Sequence, residues 1–228
     1  MGLDVIMLGA PGAGKGTQAE RFASQRGLPK ISTGDILRQG IKDNLPVAMV
    51  AKAKMDRGEL VDDETMVAIV RARLKKPDAD AGFVLDGFPR TVSQAQALDS
   101  IIHERSNGPL IVVDIDVPEA ELVRRLAGRR ICSKCGENAG PDDGDACRRC
   151  GGNLISRADD SEAVVRERLK VYHRATEPLV GFYRGRATFR TVNGAQAADA
   201  VARDLDATIS DAAGDGVRAM GAQRSAGR

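Results

Sequence analysis

The 228 residues include no tryptophan, only two tyrosines and five phenylalanines. Aromatic stacking surfaces are therefore scarce, and with a net charge of +2 the chain offers little argument for a nucleic-acid or anionic-membrane partner. No apolar run approaches the length needed to span a bilayer. The first residues, Met1 to Ile6, match neither a signal peptide nor a myristoylation motif, so the expected compartment is the cytoplasm. Only two histidines occur, His103 and His173. Both fall in helical stretches without catalytic partners and read as structural or surface residues, which argues against chemistry built on a histidine base. An Asn/Thr-Lys-x-Asp guanine motif is missing, which argues against a GTP-driven switch. Internal repeats are missing too. The length suits one core domain with insertions, or two small domains.

What the chain does have is a glycine-rich loop, Gly9-Ala10-Pro11-Gly12-Ala13-Gly14-Lys15-Gly16-Thr17, between an apolar run, Val5 to Leu8, and a helical pattern from Gln18. Strand, glycine loop, lysine and helix make up the context of a phosphate-binding loop rather than an ordinary turn. Glycines let backbone N–H groups close on an anion, and the helix adds its unpaired N–H groups and positive dipole end. Lys15 is placed to reach the terminal phosphates. The hydroxyl usually found directly after the lysine is displaced by one residue, from Gly16 to Thr17.

Downstream, Phe83-Val84-Leu85-Asp86 and Leu110 to Ile115 read as buried parallel strands, and Thr188 to Val192 as a last strand. Between them lie helical patterns: two short ones up to Asp56, one with Met66, Val67, Ile69, Val70 and Leu74 on its core face, one after Thr91, one from Pro118, one long one from Asp160, and a last from Ala197 to Ile209. Ser32, Thr33 or Asp35 reads as a helix cap. From about Gly214 small and charged residues lose periodicity, and a mobile tail is expected. Asp86, at a strand end beside the loop, is suited to hold the water shell of a magnesium ion. Strands alternating with helices indicate an α/β domain with a mostly parallel sheet and ligands at the strands' carboxyl ends.

Together with the loop, Ile31-Ser32-Thr33-Gly34-Asp35, Leu85-Asp86-Gly87-Phe88-Pro89-Arg90 and Arg157-Ala158-Asp159-Asp160 give the chain, from Met1 to about Ile209, a resemblance to the adenylate kinases, in their long form with a metal-bearing lid. The resemblance implies a P-loop NTPase-type parallel sheet core flanked by helices (1–31, 62–127 and 161–213), a helical AMP-binding flap (32–61), a four-cysteine zinc lid (128–160) and the tail (214–228). It implies reversible transfer of a phosphoryl group from ATP to AMP, giving two ADP, with Mg2+ accompanying ATP, by a monomer. ATP phosphates fall to Gly12, Ala13, Gly14, Lys15, Gly16 and Thr17, with Arg129 on the lid side and the backbone near Gln196 at the adenine. AMP falls to Thr33, Arg38, Glu59, Leu60, Val61, Gly87, Phe88, Pro89, Arg90 and Gln94, completed by Arg157 and Arg168. The chemistry adds its own support. In-line transfer between two anions needs clustered positive charge and no general base, and Lys15, Arg90, Arg125, Arg129, Arg157 and Arg168 can supply the charge.

Cys132-Ser133-Lys134-Cys135 and Cys147-Arg148-Arg149-Cys150 are two C-x2-C knuckles, each followed by glycine. Four thiolates at this spacing suit one closed, structural zinc site, with two disulfides as the alternative. Their separation is shorter than is usual in the family's zinc lids. Asn138 and Ala139 stand where the family carries an aromatic residue. Competing readings are a P-loop protein with a nucleic-acid-binding zinc ribbon, in which Arg148 and Arg149 would meet phosphate, and a kinase for another nucleoside monophosphate.

Overall fold

The structure, a computed structural model, describes residues 2–139 and 143–226. Met1, the three residues at the tip of the cysteine insert and the last two of the expected tail lie outside the described residues. In chain order the strands are β1 (Leu3–Leu8), β2 (Lys30–Ser32), β3 (Gly82–Asp86), β4 (Leu110–Asp116), β5 (Arg130–Cys132), β6 (Leu154–Ser156) and β7 (Phe189–Asn193). The helices are α1 (Lys15–Arg26), α2 (Thr33–Lys42), α3 (Pro46–Asp56), α4 (Asp63–Leu74), α5 (Val92–Arg105), α6 (Glu119–Ala127), α7 (Glu162–Val171), α8 (Pro178–Tyr183) and α9 (Ala198–Ala226).

Five strands form one parallel sheet in the order β2-β3-β1-β4-β7, while β5 and β6 pair antiparallel by themselves in the cysteine insert. The large sheet needs cover on both faces because its strands are apolar on both. In β1, Val5 and Met7 pack with Phe22 of α1 and with Val201, Leu205 and Ile209 of α9. Ile6 and Leu8 point the other way, to Met66 and Val70 of α4 and Leu98 of α5. The chain leaves β1 toward β2 and β3 on one side and β4 and β7 on the other. A crevice therefore opens at the carboxyl end of β1, where the glycine loop begins.

Helix ends follow local chemistry. Gly27 ends α1 in a left-handed conformation, and Asp62 caps α4 by accepting from Thr65 N at 2.9 Å. Ser32 caps α2, accepting from Asp35 N at 3.3 Å, but it also ends β2, an edge strand too short to leave a periodic signal. The long helix expected from Asp160 is divided. After α7 the backbone makes one π-helical turn, Tyr172–Thr176, and Pro178, which has no N–H to continue the ladder, opens α8. Pro118 occupies the N-cap of α6 rather than its first helical position.

The chain's last helix does not stop at Ile209: α9 runs to Ala226. Its extension is held by tertiary contacts that no local pattern announces. Ala212 is fully buried, and Arg190 of β7 pairs with Asp211 at 2.9 Å and with Asp215, which also holds Arg218 at 2.6 Å. Gly216 is needed because a Cβ there would fall 2.7 Å from the Pro109 ring. Truncation after Ser210 is therefore expected to lower the melting temperature by about 3–6 °C. An unchanged melting curve would show that the segment contributes nothing to the fold.

Candidate functional site

The glycine loop wraps the start of α1 as the sequence predicts. Gly14 caps the helix with φ 93°, and Gly12, at φ 88°, lies so close to α6 that a Cβ would stand 3.0 Å from Leu126 Cγ. Lys15 Nζ donates to Gly9 O at 2.7 Å and Ala10 O at 2.9 Å, folding back over the loop. It makes no ion pair among the described residues. Loss of water around the ammonium pulls its pKa down to about 8, against the attraction of Asp86, with Arg90, Arg168 and Arg129 adding repulsion. Asp86, ending β3, overhangs the first turn of α1: a Cβ on Gly16 would stand 3.2 Å from Asp86 Oδ2.

Beside the loop lie two adjoining clefts. One, of about 540 Å³, is bordered by Gly9, Pro11, Lys15, Tyr172 and Thr176. The other, of about 600 Å³, is bordered by Thr33, Leu37, Arg38, Glu59, Leu60, Val61 and Gln94. Gly58, Leu60, Gly87, Arg90 and Arg168 border both, so the clefts meet at two arginines. Glu59 turns its exposed carboxylate to Arg57 at 2.7 Å and presents the rest of itself to the cleft. Gly58 has φ 76°, and a Cβ there would fall 2.8 Å from Arg168 Cγ, so this glycine lets the segment after α3 lie against α7.

Arg90 is clamped through its own peptide. Its N–H donates to Gln94 Oε1 at 2.8 Å, its carbonyl accepts from Thr176 Oγ1 at 2.9 Å, and its side-chain Nε donates to Gly87 O at 2.8 Å. Thr33 Oγ1 donates to the same Gly87 carbonyl at 2.9 Å. Phe88-Pro89 is a cis peptide within this turn. Like Lys15, Arg90 has no ion-pair partner among the described residues, and burial lowers its pKa. Two cations that share only the more distant attraction of Asp86 thus face one crevice, an arrangement suited to an anion.

Three further arginines are held by carboxylates. Arg129 forks onto Asp160 at 2.7 and 2.5 Å, Arg157 forks onto Asp159 at 2.8 and 2.6 Å, and Arg168 reaches both at 3.1 and 3.2 Å. Burial pushes the Asp159 carboxyl up, but the hydrogen bond and charge of Arg157, with Arg168 and Arg129, outweigh it and hold the pKa at about 2. Burial draws Arg168 down to about 10. Arg38 pairs with Asp35 at 2.5 Å. Asp159, Asp160, Asp63 and Thr176 were not singled out from the sequence as site residues. The signal available was two adjacent acids among three arginines. Thr176 offered none, since its partner lies 86 residues away.

Arg125 and Gln196 border neither cleft. Arg125 donates to Glu121 at 2.8 Å and to Gly194 O at 2.9 Å, and exposed Gln196 donates to Asp204 at 2.8 Å. The two therefore lie near one another at the loop after β7. Thr17 is exposed on the first turn of α1. His173 is on the surface, its pKa raised by Glu177 at 3.0 Å.

The four cysteines are free thiols whose Sγ atoms all lie within 4.8 Å of one another. The Cys132–Cys150 and Cys135–Cys147 separations, 3.4 and 3.7 Å, are far too long for disulfides and near the ~3.8 Å edge of a tetrahedron of sulfurs around one metal ion. The backbone N–H of Cys135 donates to Cys132 Sγ at 3.4 Å and, with that of Lys134, lowers the Cys132 pKa. This donor set can hold a metal.

With this geometry in place, likeness to known proteins is specific. The adenylate kinase family model matches residues 7–188. An adenylate kinase of Archaeoglobus fulgidus is 43% identical over 212 residues, 91% of this chain and 98% of its own. One from a Geobacillus species is 45% identical over 208 residues, 89% and 96% of the two chains, and one from Clostridium acetobutylicum is 46% identical over 209, 89% and 97%. The chain belongs to the adenylate kinase family, enzymes that transfer a phosphoryl group between ATP and AMP.

Proposed function

We propose that ATP and AMP occupy the two adjoining clefts, and that the γ-phosphoryl group passes in line from one nucleotide to the other across Arg90 and Arg168. The observation carrying this reading is a pair of cations without ion pairs, Lys15 on one cleft and Arg90 where the two clefts meet. The bond from the γ-phosphorus to the ADP oxygen breaks as a bond forms to an AMP phosphate oxygen, already anionic at neutral pH, so no base is required. Gly12 to Thr17 would hold the ATP phosphates, with Lys15 at the terminal ones. Thr33, Arg38, Glu59 to Val61, Gly87 to Arg90 and Gln94 would hold AMP. Arg129, Arg157 and Arg168 would exchange their carboxylate partners for phosphate oxygens; Arg125, expected from the sequence to join them, is tied instead to Glu121 and Gly194 O outside both clefts, and the backbone near Gln196 would meet the ATP adenine. Mg2+ would arrive with ATP, its water shell held by Asp86, and would neutralise charge on the phosphates.

On the same reading, residues 32–61 form a flap over AMP and 128–160 a lid that excludes water, with one structural zinc ion on Cys132, Cys135, Cys147 and Cys150. Four sulfur ligands suit zinc and leave no position open for water. The enzyme would work as a cytoplasmic monomer without nucleic-acid or membrane partners. Among the described residues no helix is long and apolar enough to cross a membrane.

Replacing Lys15 by Met is expected to lower kcat at least about a hundredfold. The melting temperature at pH 7 should not fall, because the fold disfavours this ammonium. The unfolded chain keeps the proton up to about 10.5 and the folded chain only to about 8, so this group's penalty on stability is fully present below 8 and is relieved as pH climbs from 8 to 10.5. Near-normal turnover would remove Lys15 from the phosphates.

An anion on Lys15 must raise its pKa, so ATP binding at pH 8 should take up about half a proton, with affinity intact below pH 8 and falling above it. Calorimetry in two buffers of different ionisation enthalpy measures the uptake. Uptake that persists in the Lys15→Met variant would assign it elsewhere.

Removal of the metal should lower the melting temperature far more than the initial rate at room temperature, because the small insert has few apolar residues to hold it together. Metal-free protein with four titratable thiols and unchanged melting would refute this, as would instant loss of turnover restored only by zinc.

A further inference from the structure

The two ends of a glutamine amide have nearly the same shape and opposite hydrogen-bonding sense, so a base-reading glutamine discriminates only if something stops it turning over. Gln94 borders the Arg38 cleft and is 1% exposed. Its Nε2 donates to Asp63 Oδ1 at 2.8 Å, and its Oε1 accepts from Arg90 N at 2.8 Å. A carboxylate has no proton to give and a peptide N–H has no lone pair, so each neighbour admits one end of the amide only. Asp63 is itself fixed: its Oδ2 accepts from Thr91 Oγ1 at 2.9 Å, and that hydroxyl accepts from Gln94 N at 3.2 Å, closing a ring of bonds. Asp63 does not border the cleft and acts only through Gln94.

Each end of the amide spends half its capacity on these partners. One N–H and one oxygen lone pair are left, at known ends. Adenine offers the matching edge, an amino donor at position 6 beside an unprotonated ring nitrogen. Hypoxanthine, otherwise the same shape, puts a carbonyl at position 6 and a proton on N1. Against the fixed amide its oxygen would meet Oε1 and its N–H would meet an N–H, leaving polar groups unpaired in a dry site.

We propose that Asp63 is a specificity-determining residue of this enzyme: by fixing the sense of the Gln94 amide it makes the monophosphate site accept 6-amino purines and refuse 6-oxo purines. The inference rests on the reading that the AMP base meets Gln94.

The test is the ratio of kcat/KM for AMP to that for IMP, with ATP saturating, in wild type, Asp63→Asn, Asp63→Ser and Gln94→Leu. Asp62, not Asp63, caps α4, so both Asp63 variants are expected to fold, and melting curves check this. Asparagine can face Gln94 with either sense and serine can donate or accept, so both variants should lower the AMP:IMP ratio by about tenfold or more, with IMP efficiency rising in absolute terms. If AMP and IMP efficiencies fall together in folded variants, with the ratio within about twofold of wild type, Asp63 is merely structural and the proposal is wrong. If Gln94→Leu alone leaves the ratio unchanged, the base does not meet Gln94, and the underlying reading fails first. A ratio that collapses in Gln94→Leu but holds in both Asp63 variants keeps that reading and overturns only the role given to Asp63.

Discussion

Positive charge held without a direct ion pair is the constraint around which this site is arranged. Lys15 and Arg90 come from loops 75 residues apart in sequence, yet both border the cleft at the carboxyl end of β1. The low pKa of Lys15 records first the loss of water around its ammonium and then repulsion from Arg90, Arg168 and Arg129, against the attraction of Asp86. What holds them is neutral: the carbonyls of Gly9 and Ala10 for the ammonium, and for Arg90 the Gly87 carbonyl and a peptide gripped from both sides by Gln94 and Thr176. Neutral acceptors orient a cation without cancelling it. A site that cancelled these charges would have nothing left to offer a polyphosphate.

The other arginines are treated differently, and the difference follows from their surroundings. Arg129, Arg157 and Arg168 lie in or beside the cysteine insert, where Asp159 and Asp160 pair with all three. Forked pairs of this kind fix side chains that would otherwise cost several rotatable bonds of entropy to immobilise. The same forks fit phosphate oxygens, so an incoming anion competes with a carboxylate rather than with disorder. Asp159, held at about 2, stays ionised throughout any physiological range and remains a partner for these arginines when no nucleotide is present.

Core and site share elements: Ala10 and Ala13 of the glycine loop, Phe88 beside Arg90, and Val165 and Leu169 of the helix that carries Arg168 are all buried in the apolar clusters. The two apolar clusters on either face of the sheet supply the core, and the extended α9 is tied to β7 through Arg190 and Asp211. The cysteine insert has its own two-stranded sheet, and of its described apolar side chains Cys132 and Cys147 are the buried ones.

Much was legible from the chain alone because it is written in local chemistry. The glycine loop before Lys15, the apolar strands, the C-x2-C pairs and the Gly27 and Asp62 helix ends each depend on residues within a few positions of one another. The adenylate kinase resemblance followed from such short motifs, and the family was confirmed over most of the chain. What the sequence could not disclose was pairing at a distance. β2 is three residues whose strand character exists only beside β3. The continuation of α9 past Ile209 depends on Arg190, Pro109 and the buried Ala212, none of which alters the local pattern that glycines 214 and 216 disrupt. Gln94 could be read as a candidate from its motif, but the sense of its amide is set by Asp63, 31 residues earlier, and the Arg90 carbonyl is held by Thr176, 86 residues later. Local sequence determines which groups are available, because backbone propensity and apolar periodicity act over a turn or two. Hydrogen-bond direction and charge balance are decided only when the sheet brings distant segments within about three ångströms.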